Sequence, residues 1–475
     1  MSRISLPSFI GGTYIAQSRL ANQERTVNFL LEKMEAEGGK TRYALYGTPG
    51  VTAFATHATM AGWRATYTHP GGRAFGVVNT NFVEILASGD LTSRGTVANT
   101  NSNPATICGN GDGGNELFIT SGDKGYHYDL ATDTLTEVIA SGCTMGGFCA
   151  GYFLVLDAAT STLKQSGLFD GTTWTESAQR TLAQDRWLGL LAMVGEVWLF
   201  GSETSEVWYP SGEFPFAFRP HPTVIPSGIK APFSARDVGG KATWVSNTRE
   251  GLIQVRQAAG LDPVRISHHG LETAFEGYTD LAGGLADSYA EDGHTHYLLT
   301  FPSDNKTWVA DATTPGIWCE RGLWNIAQNR YDAWGPLWHC IAHGKHLIGD
   351  RTSSTLFEMA TSIVTDTDGS AIRRLRRAPA LHNLHERIFY NQFELYLETG
   401  LGELNEDDPL VELNYSNDSG KTWEYAGFVS AGAQGEHGKR VYWNRLGSGI
   451  DRVFEVVVSD GIPWRVLDAF VDLDQ

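Results

Sequence analysis

Between Trp187 and Tyr209 the chain reads WLGLLAMVGEVWLFGSETSEVWY, and this stretch sets the pattern for most of what surrounds it. Leu190 to Val194 is an apolar run of strand length, turned by Gly195-Glu196. Val197 and Leu199 fall on one face of the next strand and Trp198 and Phe200 on the other, so both faces are buried. Gly201 to Ser205 is a polar turn, and Glu206 to Tyr209 begins a third strand. Aromatic and β-branched residues with glycine punctuation favour strand over helix. A three-stranded meander cannot cover its own faces, so it must stack on copies of itself or on another sheet.

Copies are present. Strand pairs of the same build begin near Phe75, Leu117, Phe153, Thr243, Tyr297 and Leu347, each an apolar strand, a turn of Asp, Asn, Thr or Gly, and a second strand. With the first stretch they number seven, roughly 36 to 54 residues apart, the length of a four-stranded propeller blade. The pattern predicts an all-β chain whose larger part is a β-propeller of six or seven blades, with seven favoured by the number of copies. Six of the 17 prolines fall between Pro210 and Pro232, which predicts a stiffened excursion between blades at 210–232, suited to partner contacts or to a plain surface loop.

The repeat fades after Met359. From Phe389 onward the chain shows regular alternating strands without helical patches, which predicts a C-terminal β-sandwich-like domain. The domains are therefore expected at 1–372, an N-terminal segment and the propeller, and at 373–475, a basic linker and the sandwich. Within the second lies Ser416-Asn417-Asp418-Ser419-Gly420-Lys421-Thr422-Trp423, the S-x-D-x-G-x-T-W pattern of an Asp-box hairpin. Ser416, Asp418, Gly420, Thr422 and Trp423 are expected to build a structural turn: the carboxylate caps amides, the glycine takes positive φ and the indole packs beneath.

Charge narrows the picture. The formal net charge of −18 argues against a protein that coats nucleic acid, and no apolar run approaches the length of a membrane span. MSRISLPSFIGG lacks the charged-then-apolar build of a secretory signal. The five cysteines, Cys108, Cys143, Cys149, Cys319 and Cys340, are widely spaced and form no Cys-x-x-Cys pair, which fits idle thiols made in a reducing compartment.

Candidate chemistry is sparse. Gly38-Gly39-Lys40-Thr41 imitates the end of a phosphate-binding loop, but Met34 stands where its first glycine belongs. Gly109 to Asn115 is glycine-rich yet leads into a strand rather than a helix. His294 and His296 alternate on one strand, and His339, His343 and His346 flank Cys340; Gly344 and Lys345 speak against a zinc site, so packing and turn roles are expected. Asp366-x-Asp368-Gly369 opens like a calcium loop, but Arg377 stands where the bidentate Glu is required. No catalytic residue, metal or cofactor is expected. The one dense positive run is Arg373, Arg374, Arg376 and Arg377, which is either a solvated strand face or a docking patch for an acidic surface or for phosphate.

Several long blocks carry a resemblance: VNFLLE with GGKTRYALYGTPGV, then GEVWLFGSETSEVWYPSGEFPF, VRISHHGLE, HYLLTFPSDNKTWVAD, WCERGLW, KHLIGDRTSSTLFEM, ETGLG, YSNDSGKTW and GKRVYWNRLGSGIDRVFEV. Over nearly its whole length the chain resembles the packaged-DNA stabilisation proteins of tailed bacteriophages, also described as tail accessory or nozzle proteins of short-tailed phages. It departs at Asn28 to Glu32, where many members carry Tyr-Pro. The resemblance implies a structural virion tail protein made in the host cytoplasm. It implies a ring, homo-hexameric in expectation, below the portal and its adaptor proteins. Such a ring closes the DNA exit channel and serves as a hub for spike, fibre or needle proteins, and packaged DNA passes through without tight binding. The alternative is a glycan-binding or sialidase-like propeller, suggested by the Asp-box and the repeats.

Overall fold

The computed structural model describes residues 2–35, 41–111, 113–402 and 408–474. Gly38, Gly39 and Lys40 lie outside the described residues. Among those described, the regular structure is β-strand apart from one α-helix, His269–Glu276.

The seven strand pairs are the second and third strands of seven blades. Blade 4 shows how local sequence makes one. Trp187–Met193, Glu196–Gly201, Ser205–Pro210 and Phe218–Pro220 run antiparallel in order, with Leu190 opposite Leu199 and Trp198 opposite Val207. Gly195 turns the first hairpin at φ 77°, a conformation a side chain disfavours. Blades 1, 2 and 3 begin at Trp63, Thr106 and Met145 and repeat this order. In blade 5 the inner strand is split into Gly228–Ile229 and Arg236–Asp237, both paired to Ala242–Asn247. Blade 6 spans Leu285–Glu291 to Trp318–Asn325. Each inner strand lies against the next, and Pro336–Ala342 of blade 7 packs on Trp63–Thr68 of blade 1 to close the ring.

Closure uses a strand from the other end of the sequence. Thr48-Pro49-Gly50 does not lead into the first blade. Gly50–Thr56 is the outermost strand of blade 7, paired with Thr355–Ala360 from Gly50↔Ala360 to Thr56↔Thr355. A Cβ on Gly50 would stand 2.3 Å from the Ile363 carbonyl oxygen, so this approach needs glycine. Two buried indoles stitch the same seam: Trp63 Nε1 donates to Ser354 O at 3.1 Å, and Trp338 Nε1 donates to Trp63 O at 2.9 Å.

The proline-rich stretch is less of an excursion than its composition predicts. Phe218–Pro220 is the edge strand of blade 4, where a missing N–H costs no ladder bond, and Gly228–Ile229 already belongs to blade 5.

The sandwich is built from both ends of the chain. One sheet holds Phe29–Lys33, Tyr43–Gly47, Arg465–Asp474, Ile388–Leu397 and Val441–Asn444, with Ser2–Ser5 added along Arg465–Asp474. The facing layer holds Gln23–Val27, Arg374–Arg377, Asp451–Val458, Leu410–Ser416 and Glu424–Ser430. Phe29, Leu45, Phe393, Trp443, Phe454 and Val456 fill the space between. The N-terminal segment, grouped with the propeller by its place in the sequence, is thus shared out by pairing: its strands before Gly47 go to the sandwich and Gly50–Thr56 to the propeller. The facing layer does not stop at the domain edge. Gln23–Val27 pairs in parallel with Trp318–Asn325 of blade 6 at Val27↔Glu320, so one twelve-stranded sheet runs from the propeller into the sandwich.

Candidate functional site

The strand Arg374–Arg377 lies at the centre of this joint, antiparallel to Gln23–Val27 on one side and to Asp451–Val458 on the other. Side chains alternate across a strand, so the arginine run is divided between two faces. Arg374 and Arg376 point into the protein and are 2% and 1% exposed, which corrects both expectations for the run, a solvated face and a four-residue patch. The cause is pairing on both edges and layers on both faces, a burial that strand-length charge clusters rarely meet.

Arg376 shows how such burial is tolerated. Its Nη1 donates to Gly12 O and Thr26 Oγ1, both at 2.9 Å, and its Nη2 to Ser8 O at 2.8 Å and Glu24 Oε2 at 3.0 Å; Nε takes Phe9 O. Every N–H is committed, which is what a buried guanidinium requires. Arg374 has less: Nη1 donates to Ile372 O at 3.2 Å, and burial pushes its pKa down to about 10. A Cβ on Gly47 would lie 2.7 Å from Arg374 Nε, so glycine makes the room.

Arg373, Leu375 and Arg377 face the other way, into a cleft of about 700 Å3 between blade 6 and the sandwich. Arg373 lies 4.5 Å from the Trp324 ring centre and Arg377 4.6 Å from that of Trp423. Arg377 donates twice to Glu455 Oε2, at 2.9 and 2.7 Å. On the propeller side Arg25 grips Glu320 with both carboxylate oxygens, at 2.7 and 2.8 Å, and Lys306 adds a bond of 3.0 Å. Burial pushes the Glu320 carboxyl up, but Arg25 and Lys306 outweigh it and hold the group at about 2. Six cationic side chains line the cleft against four carboxylates, a positive recess in an acidic protein.

The Asp-box arrives at the rim of the same cleft, so the two regions singled out by sequence meet. It forms the turn between Leu410–Ser416 and Glu424–Ser430. Asp418 Oδ1 accepts from Lys421 N at 2.9 Å, Thr422 N at 2.8 Å and Ser416 Oγ at 2.7 Å, and Oδ2 accepts from Thr422 Oγ1 at 2.6 Å. The Thr422 hydroxyl and the amides hold its carboxyl well below the usual range. Gly420 sits at φ 78°, where a Cβ would meet the Gln23 side chain. Trp423 is half-buried, with the Arg377 guanidinium over its ring. Glu24, Arg25, Glu320 and Glu455 carry no local signal; each is defined by a partner far away in sequence.

The histidines form a column. Rings of His294 and His296 stack at 6.0 Å, His296 meets Tyr289 at 4.9 Å, Tyr289 meets His339 at 5.8 Å, and His339 stacks on His346 at 5.2 Å, linking blades 6 and 7. His294 Nδ1 pairs with Asp311 Oδ2 at 2.7 Å and His339 Nε2 with His346 Nδ1 at 3.0 Å, while His343 Nε2 donates to Ile85 O at 2.9 Å. Burial lowers His296 to about 4 and His339 to about 3 and raises the Cys340 thiol to about 11. Among the described residues no three His, Cys, Asp or Glu side chains come together as a metal site. Asp366 instead accepts from Trp334 Nε1 at 3.0 Å.

Comparison with known proteins adds two family matches. The model described as bacteriophage P22 Gp10, β-propeller, matches residues 9–364, and that described as bacteriophage P22 Gp10, β-sandwich, matches residues 373–474. No curated protein matches. Among solved structures, the N-terminal domain of Nup159 is 9% identical, with 71% of this chain and 99% of that one covered and a TM-score of 0.39. A streptogramin B lyase is 7% identical, with 66% and 98% covered and a TM-score of 0.41. The virginiamycin B lyase from Staphylococcus aureus is 12% identical, with 66% and 99% covered and a TM-score of 0.42. At these values the likeness says nothing about activity.

Proposed function

Since the chain belongs to the bacteriophage P22 Gp10 family of phage tail proteins that stabilise packaged DNA, we propose that copies of it form a ring, hexameric in our reading, below the portal and its adaptor. The ring narrows the DNA exit and offers a hub to distal tail proteins. It works by blocking the exit, not by catalysis. The observation that carries this reading is the family match across both domains. The sheet that joins those domains supports it, because a ring subunit with no hinge between its halves keeps the same shape under the pressure of packed DNA.

Retention of a genome by gripping phosphates requires a positive surface, since affinity comes from counterion release. A chain of net charge −18, with two of its four clustered arginines buried, is poorly suited to that. An acidic surface lets DNA slide during ejection, and retention comes from completing the ring and sealing it with further tail proteins. The test uses DNA-filled heads assembled without this protein. They should leak their DNA, and adding the purified protein with its sealing partner should stop the loss. Heads that stay full without it would refute retention as its role, and tight, salt-sensitive binding to free duplex DNA would refute blocking.

A further inference from the structure

On the propeller face formed by the turns between second and third strands, where blades 1 and 7 meet, lies a cleft of about 340 Å3 remote from the arginine run. Its lining contains two guanidinium groups, Arg64 and Arg351, and no carboxylate. The clefts at Arg373 and at His296 both contain several acids, so this one stands apart in a chain of net charge −18.

Arg64 is fixed in place by uncharged acceptors. Its Nη1 donates to Asn79 O at 3.0 Å, Ala98 O at 3.3 Å and Ser121 Oγ at 2.8 Å, and its Nη2 to Asn103 O at 2.9 Å. Nε is left uncommitted. Arg351 is less satisfied still. Its guanidinium makes no hydrogen bond or ion pair among the described residues, and its Nε is wholly enclosed without a partner. The neighbouring acid is spoken for: Asp350 Oδ1 accepts from Thr352 N and Thr352 Oγ1, both at 2.8 Å, and Oδ2 from Ser353 Oγ at 2.7 Å. Glycine brings the two arginines together. A Cβ on Gly62 would lie 1.8 Å from the Arg351 carbonyl oxygen, so only glycine lets the start of blade 1 press against the Arg351 turn. A half-buried guanidinium without acceptors is costly, and proteins rarely keep one idle.

The other polar side chains of the lining are amides and one hydroxyl. Asn79, Asn99, Asn101, Asn103 and Ser102 surround the opening over a floor of buried Trp63 and Trp338. Asn99 Nδ2 donates to Asn79 Oδ1 at 2.7 Å, and Asn101 Oδ1 accepts from Asn103 N at 3.1 Å, which orders this loop. The volume suits a ligand of about one hexose. We propose that this cleft binds a small polyhydroxylated acid, a sugar bearing a carboxylate or a phosphate monoester. Arg351 and Arg64 take the oxyanion, and the asparagine amides and Ser102 take the hydroxyls.

Isothermal titration of the full chain with sodium glucuronate, glucose 6-phosphate, inorganic phosphate and glucose tests this. At least one of the two acidic sugars should bind, and the better of them distinguishes carboxylate from phosphate; glucose should not bind measurably. Arg351→Gln, which removes a guanidinium that has no hydrogen-bond partner to lose, should not lower the melting temperature and should weaken the acidic sugar about tenfold or more. Inorganic phosphate binding as tightly as glucose 6-phosphate would overturn recognition of the sugar body. No binding by either acidic sugar, or full affinity in Arg351→Gln, would overturn the site.

Discussion

Acidification from pH 7.5 to 5.0 should loosen the joint between blades 6 and 7 through its buried histidines. His296 is 4% exposed, its Nδ1 has no partner, and burial holds its pKa at about 4. Groups facing it are Tyr289 from the inner strand of blade 6, His294 on its own strand, Asp311 on the next and Arg321 on the outermost. In the unfolded chain a histidine titrates near 6.5. A depressed folded value means that the unfolded state binds more protons as the pH falls, so the contribution is whole above about 6.5 and is lost on the way down to about 4. At pH 5.0 the loss is about 2 kcal/mol for His296, from ~1.4 kcal/mol per pH unit. His339, lowered to about 3 by burial and by His346, adds a similar loss, again about 2 kcal/mol at most. Asp287, Glu291 and Asp366, raised by burial, work in the opposite direction, so the net slope of the whole protein is not diagnostic. The variant His296→Phe is, because it keeps the ring stack and removes one titration. Denaturant midpoints measured at both pH values should show the acid-induced loss shrinking by about 2 kcal/mol in the variant. An identical loss in variant and wild type would refute the assignment of a neutral, enclosed His296.

Three further outcomes concern the joint between the domains, the Asp-box turn and the buried thiols. Arg376→Leu should destabilise the chain by about 3–5 kcal/mol in chemical denaturation, since it strands Glu24 and several buried carbonyl oxygens, whereas Arg373→Leu, facing the cleft, should cost about 1 kcal/mol. Asp418→Ala should lower the melting temperature of the sandwich by freeing the Lys421 and Thr422 amides, and Asp418→Asn should recover part of the loss because its amide oxygen still accepts. Cys143 and Cys319, whose thiols burial pushes up to about 12, should resist a thiol reagent at pH 8 until the chain is unfolded; fast labelling of the native protein would show that the blades open.

What the sequence by itself determined is local. Period-two alternation with Gly, Asn and Asp turns defined seven strand pairs, because strand and hairpin depend on residues a few positions apart, as in Trp198 opposite Val207. The Asp-box was legible for the same reason, since every bond of the Asp418 carboxylate falls between Ser416 and Thr422. What tertiary structure alone decided is partnership over distance. The segment before Trp63 reads as plain strands, and nothing nearby tells that Tyr43–Gly47 joins Arg465–Asp474 while Gly50–Thr56, a few residues later, joins Thr355–Ala360. The arginine run is the sharpest case. A cluster of four charges reads as surface because water is the default partner of a guanidinium. Arg376 is buried only because the folded chain supplies Ser8, Phe9, Gly12, Glu24 and Thr26 as acceptors from more than three hundred residues away, and no local pattern carries that geometry.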